Sequence, residues 1–532
     1  MNGAIILLGA MGTLLLGYLI YSRLAAGWFG LREDEPTPAH RLKDGVDYVP
    51  APLPVLFGHH FASIAGAGPI IGPILAISFG WVGVFVWLVL GVIFAGGIHD
   101  LGAMIASVRH EGRSIGEIIR LHMGQRAFFL FLSFAWATLV LVIAAFAVIV
   151  AKTFSARPEV ASASVMFLIL AIVFGLGVYR LGIPLWLATT LGVPLLAGAI
   201  FVSYRIPLAL PQNLWLYLLL VYIFVAATVP VHALLQPRDY LNSFLLYGLL
   251  GGGLLGLMVK QPQINFPAWT GFSNEIGPFF PLLFVITSCG AISGFHSLVA
   301  SGTTAKQLSR AAHARPIGYG AMLLETVLAL VSLMAVAGLS LASYKSQLAT
   351  MGPIALFSQG VGEFMAALGI PPSLGRSFAG LAVSAFALTS LDTATRVARF
   401  TLEELLATKT HDPSGTRRLL ATGVTVVAAA ALAISGKWRA IWPVMGSANQ
   451  LLAALALLAL FVWLWRSGLP AVFVGLPAAF MLLVTTTSLG LLFSKQWQAG
   501  HHLLSGISLA LLALSLVLVA EAVKISRDSW RR

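Results

Sequence analysis

Charge is scarce in this chain. Only 10% of its 532 residues are Asp, Glu, Lys or Arg, against roughly 25% in ordinary soluble domains. With 58% of the residues hydrophobic, a water-soluble fold is excluded. Cysteine occurs once, as Cys289 within an apolar run, so no disulfide can form inside the chain. No phosphate-binding GxxxxGKS or GxxxxGKT appears, which argues against work driven by the chain's own ATP hydrolysis. HExxH, CxxC and Asp-rich loops are missing too, so neither a metal nor a cofactor is expected. Without a nucleophile-base motif, an enzyme is not expected either. Residues 1–22 carry no charge and lack the basic start of a secretory signal, and they read as a retained spanning helix.

The net charge is +13, which in a soluble protein would suggest nucleic acid. Here the cations sit in short loops between apolar spans, where they orient the chain and meet anionic lipid. Membrane lipids are therefore expected partners and nucleic acid is not. Long uncharged runs select spanning helices over a barrel, whose strands would show short alternating segments.

About fifteen spans are expected, near 3–22, 53–77, 81–107, 127–151, 162–179, 184–204, 213–233, 241–259, 278–301, 317–342, 377–400, 419–435, 441–465, 470–493 and 501–522. On this count the loops of one side hold 23 of the 32 Lys and Arg residues and those of the other hold nine. That asymmetry predicts an N-terminus outside, a C-terminus in the cytoplasm and a multi-pass protein of the inner (plasma) membrane. The expected division is a peripheral helix over 1–22, a cytoplasmic connector over 23–52, a core with inverted repeats over 53–465, and C-terminal helices with a short tail over 466–532. The stretches 260–277 and 343–376 read as outer loops with interfacial or re-entrant pieces.

Two spans are built to break. GHHFASIAGAGPIIGP (58–73) sets Gly66, Gly68, Pro69, Gly72 and Pro73 in an otherwise spanning segment. Pro removes a backbone donor and Gly permits non-helical angles, although small residues also serve close helix packing. SCGAISGFHSLVASGTT (288–304) echoes it, with Ser63 to Gly68 aligned on Ser297 to Gly302. The two spans are second and ninth, and an odd offset makes them cross in opposite directions, as in inverted-repeat transporters.

Candidate binding groups cluster there: His59, His60, Ser63, Gly66, Gly68, His296, Ser297 and Gly302. Free amides at a half-helix start attract an anion, so a small anionic substrate is expected. Its carboxylate would lie on amides near Gly66 to Gly68 and Gly302, with His60 and His296 orienting it. Neighbouring His59 and His60 point about 100° apart on a helix, so at most one shares a cavity with Ser63. Buried carboxylates in a span are costly and mark proton or ion sites. Asp100 and Asp392 are the candidates for coupling to a proton, or to sodium, with Thr389, Ser390 and Thr393 beside Asp392. The plainer alternative is a structural pair, such as Asp392 with Arg396 at i+4. Glu325 has no partner in its own helix and stays ambiguous. QPRDYLNS (236–243) reads as a cytoplasmic turn clamped by Arg238 and Asp239, and Ser447, Asn449 and Gln450 as gating or interhelical bonding.

The blocks 47–76, 234–246, 286–308, LDTATRVARF (391–400) and WPVMGSANQLLA (442–453) together resemble the carbon starvation protein family, CstA and BtsT. The resemblance implies an inner-membrane secondary transporter of the amino acid-polyamine-organocation superfamily. It also implies pyruvate uptake with protons in some members and peptide uptake in others. The expectation is thus a proton-coupled importer of a small carboxylate, pyruvate first. A peptide or amino-acid transporter of the same fold is the alternative, and a channel or a membrane-embedded sensor or enzyme the remoter one.

Overall fold

The computed structural model of the protein describes every residue except 46–47, 231–233, 407–414, 436–437 and 531–532. Asp47, Lys409, Lys437, Arg531 and Arg532, which entered the loop and motif readings, therefore lie outside the described residues. Among the described residues the regular structure is helical, apart from isolated bridges such as Asn2 with Gln263 and Ala51 with Leu308. In chain order the principal helices are Gly3–Trp28 (α1), Leu53–Ile64 (α2), Gly68–Phe79 (α3), Trp81–Arg109 (α4), Gln125–Ala156 (α5) and Pro158–Tyr179 (α6). Leu185–Ser203 (α7), Gln212–Thr228 (α8), Leu235–Lys260 (α9), Phe279–Ile286 (α10), Gly294–Gly302 (α11) and Ala311–Ala337 (α12) follow. The chain ends with Leu341–Ala366 (α13), Pro372–Leu406 (α14), Thr416–Ile434 (α15), Ile441–Arg466 (α16), Val472–Gln498 (α17) and His502–Ile525 (α18).

Among the described residues, 12 helices are long and apolar enough to cross a membrane, or 13 when the bent pair α2 and α3 counts as one span. The expectation of fifteen is corrected accordingly. Two segments make the difference. Helix α8 has 17 residues, about 26 Å at 1.5 Å per residue, and falls below the length counted although it links the cation-poor face to the cation-rich start of α9. The segment expected at 278–301 is not one helix but the short pair α10 and α11. Two smaller corrections concern loops. Residues 343–376 are largely helical, as α13 kinked at Gly352 (φ 77°) ahead of Pro353, and then the start of α14. QPRDYLNS is no turn but the first turns of α9, where Pro237 needs no helical donor.

Burial sorts the helices. In their most apolar stretches α5 and α16 are each 89% buried and α12 is 83% buried, whereas α1 and α18 are 33% buried and α7 only 11%. The uncharged faces left open are the lipid-facing ones, since only lipid tolerates them.

Contacts near the helix ends gather the segments into the two groups that the Lys and Arg count distinguishes. On the cation-rich face Arg109 donates to the Gly30 carbonyl at 2.6 Å, the Tyr48 hydroxyl to the Glu111 carbonyl at 3.0 Å, and Arg126 lies 3.7 Å from Glu521. On the other face Gly3 donates to the Pro262 carbonyl at 2.8 Å and Lys345 pairs with Glu275 at 2.5 Å. Gly3 and Glu521 thus belong to different groups.

The broken helices run antiparallel. Helix α2 starts on the cation-rich face, where the Ala51 amide donates to the Gln307 carbonyl at 3.0 Å just beyond the end of α11. After a break at 65–67 and a bend of 43°, α3 ends on the cation-poor face beside Pro267 and Thr270. Helix α10 begins on that cation-poor face, breaks at 287–293, and continues as α11 toward the cation-rich one. The expected opposite crossing is what the chain adopts.

Candidate functional site

The two breaks touch each other at mid-depth. Gly68 packs against Cys289, and Gly72 against the carbonyl that ends α10. The second break, and the start of α3 after the first, are held by side chains from neighbouring helices. Ser332 of α12 donates to the Ile70 carbonyl at 2.7 Å, and Thr326, half a dozen residues earlier, to the Gly290 carbonyl at 2.7 Å. From α16, Asn449 accepts the Phe295 amide at 2.8 Å and donates to Ser293 at 2.9 Å, while Gln450 donates to the Ile292 carbonyl at 2.6 Å. An unwound segment leaves backbone groups without helical partners, and in a bilayer they must find others. These hydroxyls and amides are those partners.

Beside the paired breaks lies a cavity of about 600 Å³. Its wall is mainly apolar, with Phe146, Phe295 and Trp442 prominent. Its polar groups are Cys289, Ser293, His296, Ser390, Ser447 and Asn449 around the breaks, and Ser494, Lys495, Gln496 and Gln498 toward the mouth. Gly66 and Gly68 line it directly, and α3 starts there with Pro69 in its first turn. A helix start directs backbone donors along its axis. The cavity continues toward the cation-poor face, past Ile276 to Pro278 and Lys495 to Gln498, and Lys495 donates to the Ile276 carbonyl at 3.3 Å.

Of the expected binding residues, Gly66, Gly68 and His296 therefore line one cavity, with Ser390 joining from the coupling group. The others lie elsewhere. His59 is buried against Asp239, with Nδ1 at 3.0 Å, and His60 against Thr304, with Nδ1 at 2.9 Å. The adjacent rings diverge, as their 100° offset requires, and neither lines the cavity. Ser63 turns to α14, where Thr393 approaches its hydroxyl at 3.5 Å and Ser390 donates to its carbonyl at 3.3 Å. Ser297 donates back to the Gly294 carbonyl at 2.8 Å. Gly302 closes α11, the end that presents carbonyls rather than free amides. It borders a separate recess with Lys306 and Glu404.

The carboxylates fall into two buried groups, one on each side of α2. In the first, Asp100 accepts from His99 at 2.7 Å and from His296 at 3.0 Å, and Nε2 of His296 lies 3.5 Å from Glu325. In the second, Arg238 bridges Asp392 and Asp239, the latter at 2.9 Å. Tyr222 donates to Asp392 at 2.5 Å. The partner considered for Asp392 at i+4, Arg396, donates instead to the Val229 carbonyl. Thr389 accepts from Asn242 at 3.2 Å. Cys289, Ser293 and Asn449 were not singled out as cavity groups. The only sequence signal for the second break is Gly290 and Gly294 around Ser293, with no proline among them.

Asn449 offers a direct check on this geometry. Asn449→Ala removes an acceptor and a donor, each worth about 1 kcal/mol. Expected are a lower melting temperature in detergent and ligand binding weakened about tenfold. Asn449→Asp keeps the acceptor for the Phe295 amide but buries a carboxylate, and should recover only part of the stability. Equal melting of all three proteins would show that α11 does not depend on this cap.

Comparison with known proteins agrees with the geometry. The model of the family described as carbon starvation protein CstA matches residues 2–351 and 343–488. The peptide transporter CstA of Bacillus subtilis is 31% identical over 100% of this chain and 98% of its own length. The pyruvate/proton symporter BtsT of Escherichia coli is 36% identical over 62% of this chain and 48% of its own. A solved manganese transporter from Eremococcus coleocola aligns over 91% of this chain and 99% of its own, at 16% identity and a TM-score of 0.46, too distant to argue from. With a family model spanning nearly its whole length and a relative matched end to end, the chain belongs to the carbon starvation protein CstA family.

Proposed function

We propose that this protein is a secondary transporter that imports a small carboxylate, pyruvate foremost, together with a proton. The observation that carries this reading is the cavity at the paired breaks: apolar walls, a few polar groups, and the start of α3 at Gly68. A carboxylate is held at the start of α3, by the Gly68 amide together with Ser293 and Asn449, and its short carbon chain meets the apolar wall. Placing the cation-rich face in the cytoplasm makes the cavity outward-facing, the state in which an importer receives its substrate. Lys495 near the mouth adds an attractive charge for an anion. The relatives named as a peptide transporter and as a pyruvate/proton symporter support transport as the class. Alternating access follows if the paired breaks rock against α5 and α14.

A short peptide is the second reading. One observation favours it, since about 600 Å³ exceeds several-fold what a three-carbon acid fills.

Uptake into proteoliposomes separates these readings. With acid outside, labelled pyruvate should accumulate, and collapsing the gradient should abolish accumulation but leave counterflow exchange. Equal accumulation without a gradient rules out proton coupling. A labelled dipeptide accumulating in place of pyruvate selects the second reading, and passive flux of both without counterflow would mean a channel.

A further inference from the structure

The residues flanking His296 carry more than substrate contact. Asp100 sits between two imidazoles, with Nδ1 of His99 at 2.7 Å and Nδ1 of His296 at 3.0 Å. An ionised carboxylate can only accept, so both rings turn a protonated Nδ1 toward it. The tautomer of His296 is thereby fixed, and in the neutral ring its Nε2 is a bare acceptor. That nitrogen faces Glu325 at 3.5 Å. Glu325 itself has no exposed surface, and neither of its oxygens has a hydrogen-bond partner among the described residues. A carboxylate so placed has no donor to stabilise its charge, which is costly in a bilayer interior. A proton shared between Glu325 and Nε2 of His296 resolves the contact. Either the carboxyl donates to the imidazole, or the imidazolium donates to the carboxylate.

We propose that Glu325 carries the coupling proton and that His296, which lines the cavity, passes it between cavity water and the Glu325 carboxyl. The inference rests on the transporter reading and deepens it. A proton from the outer solution reaches Nε2 and moves to a Glu325 oxygen, converting carboxylate to carboxyl. The reverse transfer releases it after the cavity has opened to the other side, so one proton is bound and one released per cycle. Asp100 keeps its negative charge throughout and orients His296. The other ionisable groups near this one are His99 on α4 and His60 and His59 on α2. His60 is tied to Thr304 and His59 to Asp239. Asp392, by contrast, is neutralised by Arg238 and sits outside this path.

The position of Glu325 also links the proton to the moving parts. The next residue, Thr326, holds the Gly290 carbonyl in the second break. Charging Glu325 places a second carboxylate opposite Asp100, across a single imidazole. Relief of that repulsion is a force on α12, and through Thr326 on the break.

Glu325→Gln mimics the protonated side chain. In proteoliposomes it should keep substrate counterflow within about twofold of the unsubstituted protein, lose gradient-driven accumulation at least tenfold, and carry no substrate-linked proton influx read by an internal pH dye. Glu325→Asp should retain coupled uptake with a displaced pH profile. Accumulation by Glu325→Gln with unchanged proton influx overturns the inference, as does loss of counterflow in a monodisperse variant. Should that variant not fold, dicyclohexylcarbodiimide, which modifies protonated carboxyls in apolar surroundings, should label Glu325 of the unsubstituted protein. Absence of that label overturns the inference. If the unsubstituted protein shows neither uptake nor counterflow, the transport reading itself fails.

Discussion

Arg238→Met is expected to yield almost no folded protein. The guanidinium is buried and joins four helices: it reaches Asp392 of α14, Tyr222 of α8 at 2.6 Å and Asp239 beside it on α9, whose other oxygen meets His59 of α2 at 3.0 Å. Removing the cation leaves two buried carboxylates uncompensated, and breaking such a pair costs about 3–5 kcal/mol. That is a large fraction of the stability of an ordinary domain. Arg238→Lys retains the charge but cannot fork toward two carboxylates, so an intermediate melting temperature is expected. Adding Asp392→Asn to Arg238→Met removes one of the stranded charges and should recover part of the loss, a non-additive result that a double-mutant cycle measures. Strictly additive losses would show that the two side chains do not depend on each other. Function is at stake as well. Ser390 lines the cavity and Asp392, about 200° further around α14, points away from it toward Arg238. The ion pair therefore fastens α14 to α9 behind the cavity wall on its cation-rich side.

The same pair shows where the sequence is legible and where it is not. A buried Asp392 in a spanning helix demands a partner, and that demand is readable. The partner is 154 residues away in sequence, and nothing local distinguishes Arg238 from Arg396, which has the favourable i+4 spacing. Loop charge separates the two faces because short loops keep their cations on one side, and the first break is visible because Gly66 and Gly68 stand just before Pro69, which lacks the donor a continuous helix would need. The second break is obscure. It contains no proline, and the echo of Ser63 to Gly68 in Ser297 to Gly302 falls inside α11, after the chain has already unwound at 287–293. For that reason Gly302 was expected at free amides and lies at a carbonyl end. The two histidines are a matter of azimuth: 100° separates them, but which ring meets Asp239 and which meets Thr304 depends on how α2 is rotated against α9 and α11. The span count differs at α8 and at the pair α10 and α11, where the continuous helix is short or interrupted and length ceases to be a guide.

Gly72→Ala is expected to lower transport by about a hundredfold, the scale on which a misplacement of about 1 Å acts at a preorganised site. A Cβ at this position would lie 2.6 Å from the Ile286 carbonyl oxygen and 3.3 Å from Cα of Thr287. Both obstacles are backbone, so no side chain can turn aside, and α3 must move away from the end of α10. Overpacking of this kind costs about 1–3 kcal/mol in stability. The larger loss is in the cavity, since α3 carries Gly68, which lines it, along with it. Gly68→Ala supplies the control. Its Cβ meets only the side chain of Cys289, with Cβ of that cysteine at 2.7 Å, so Cys289→Gly should restore counterflow to Gly68→Ala. No such substitution at 286 or 287 can rescue Gly72→Ala, because every residue keeps the carbonyl. Melting temperature and counterflow, measured on the four proteins, separate contact between the breaks from general instability. Rescue of Gly68→Ala with continued failure of Gly72→Ala establishes that the two broken helices must touch for the cavity to work. If Gly72→Ala transports at the unsubstituted rate, the breaks do not need this approach, and the site described between them loses its principal support.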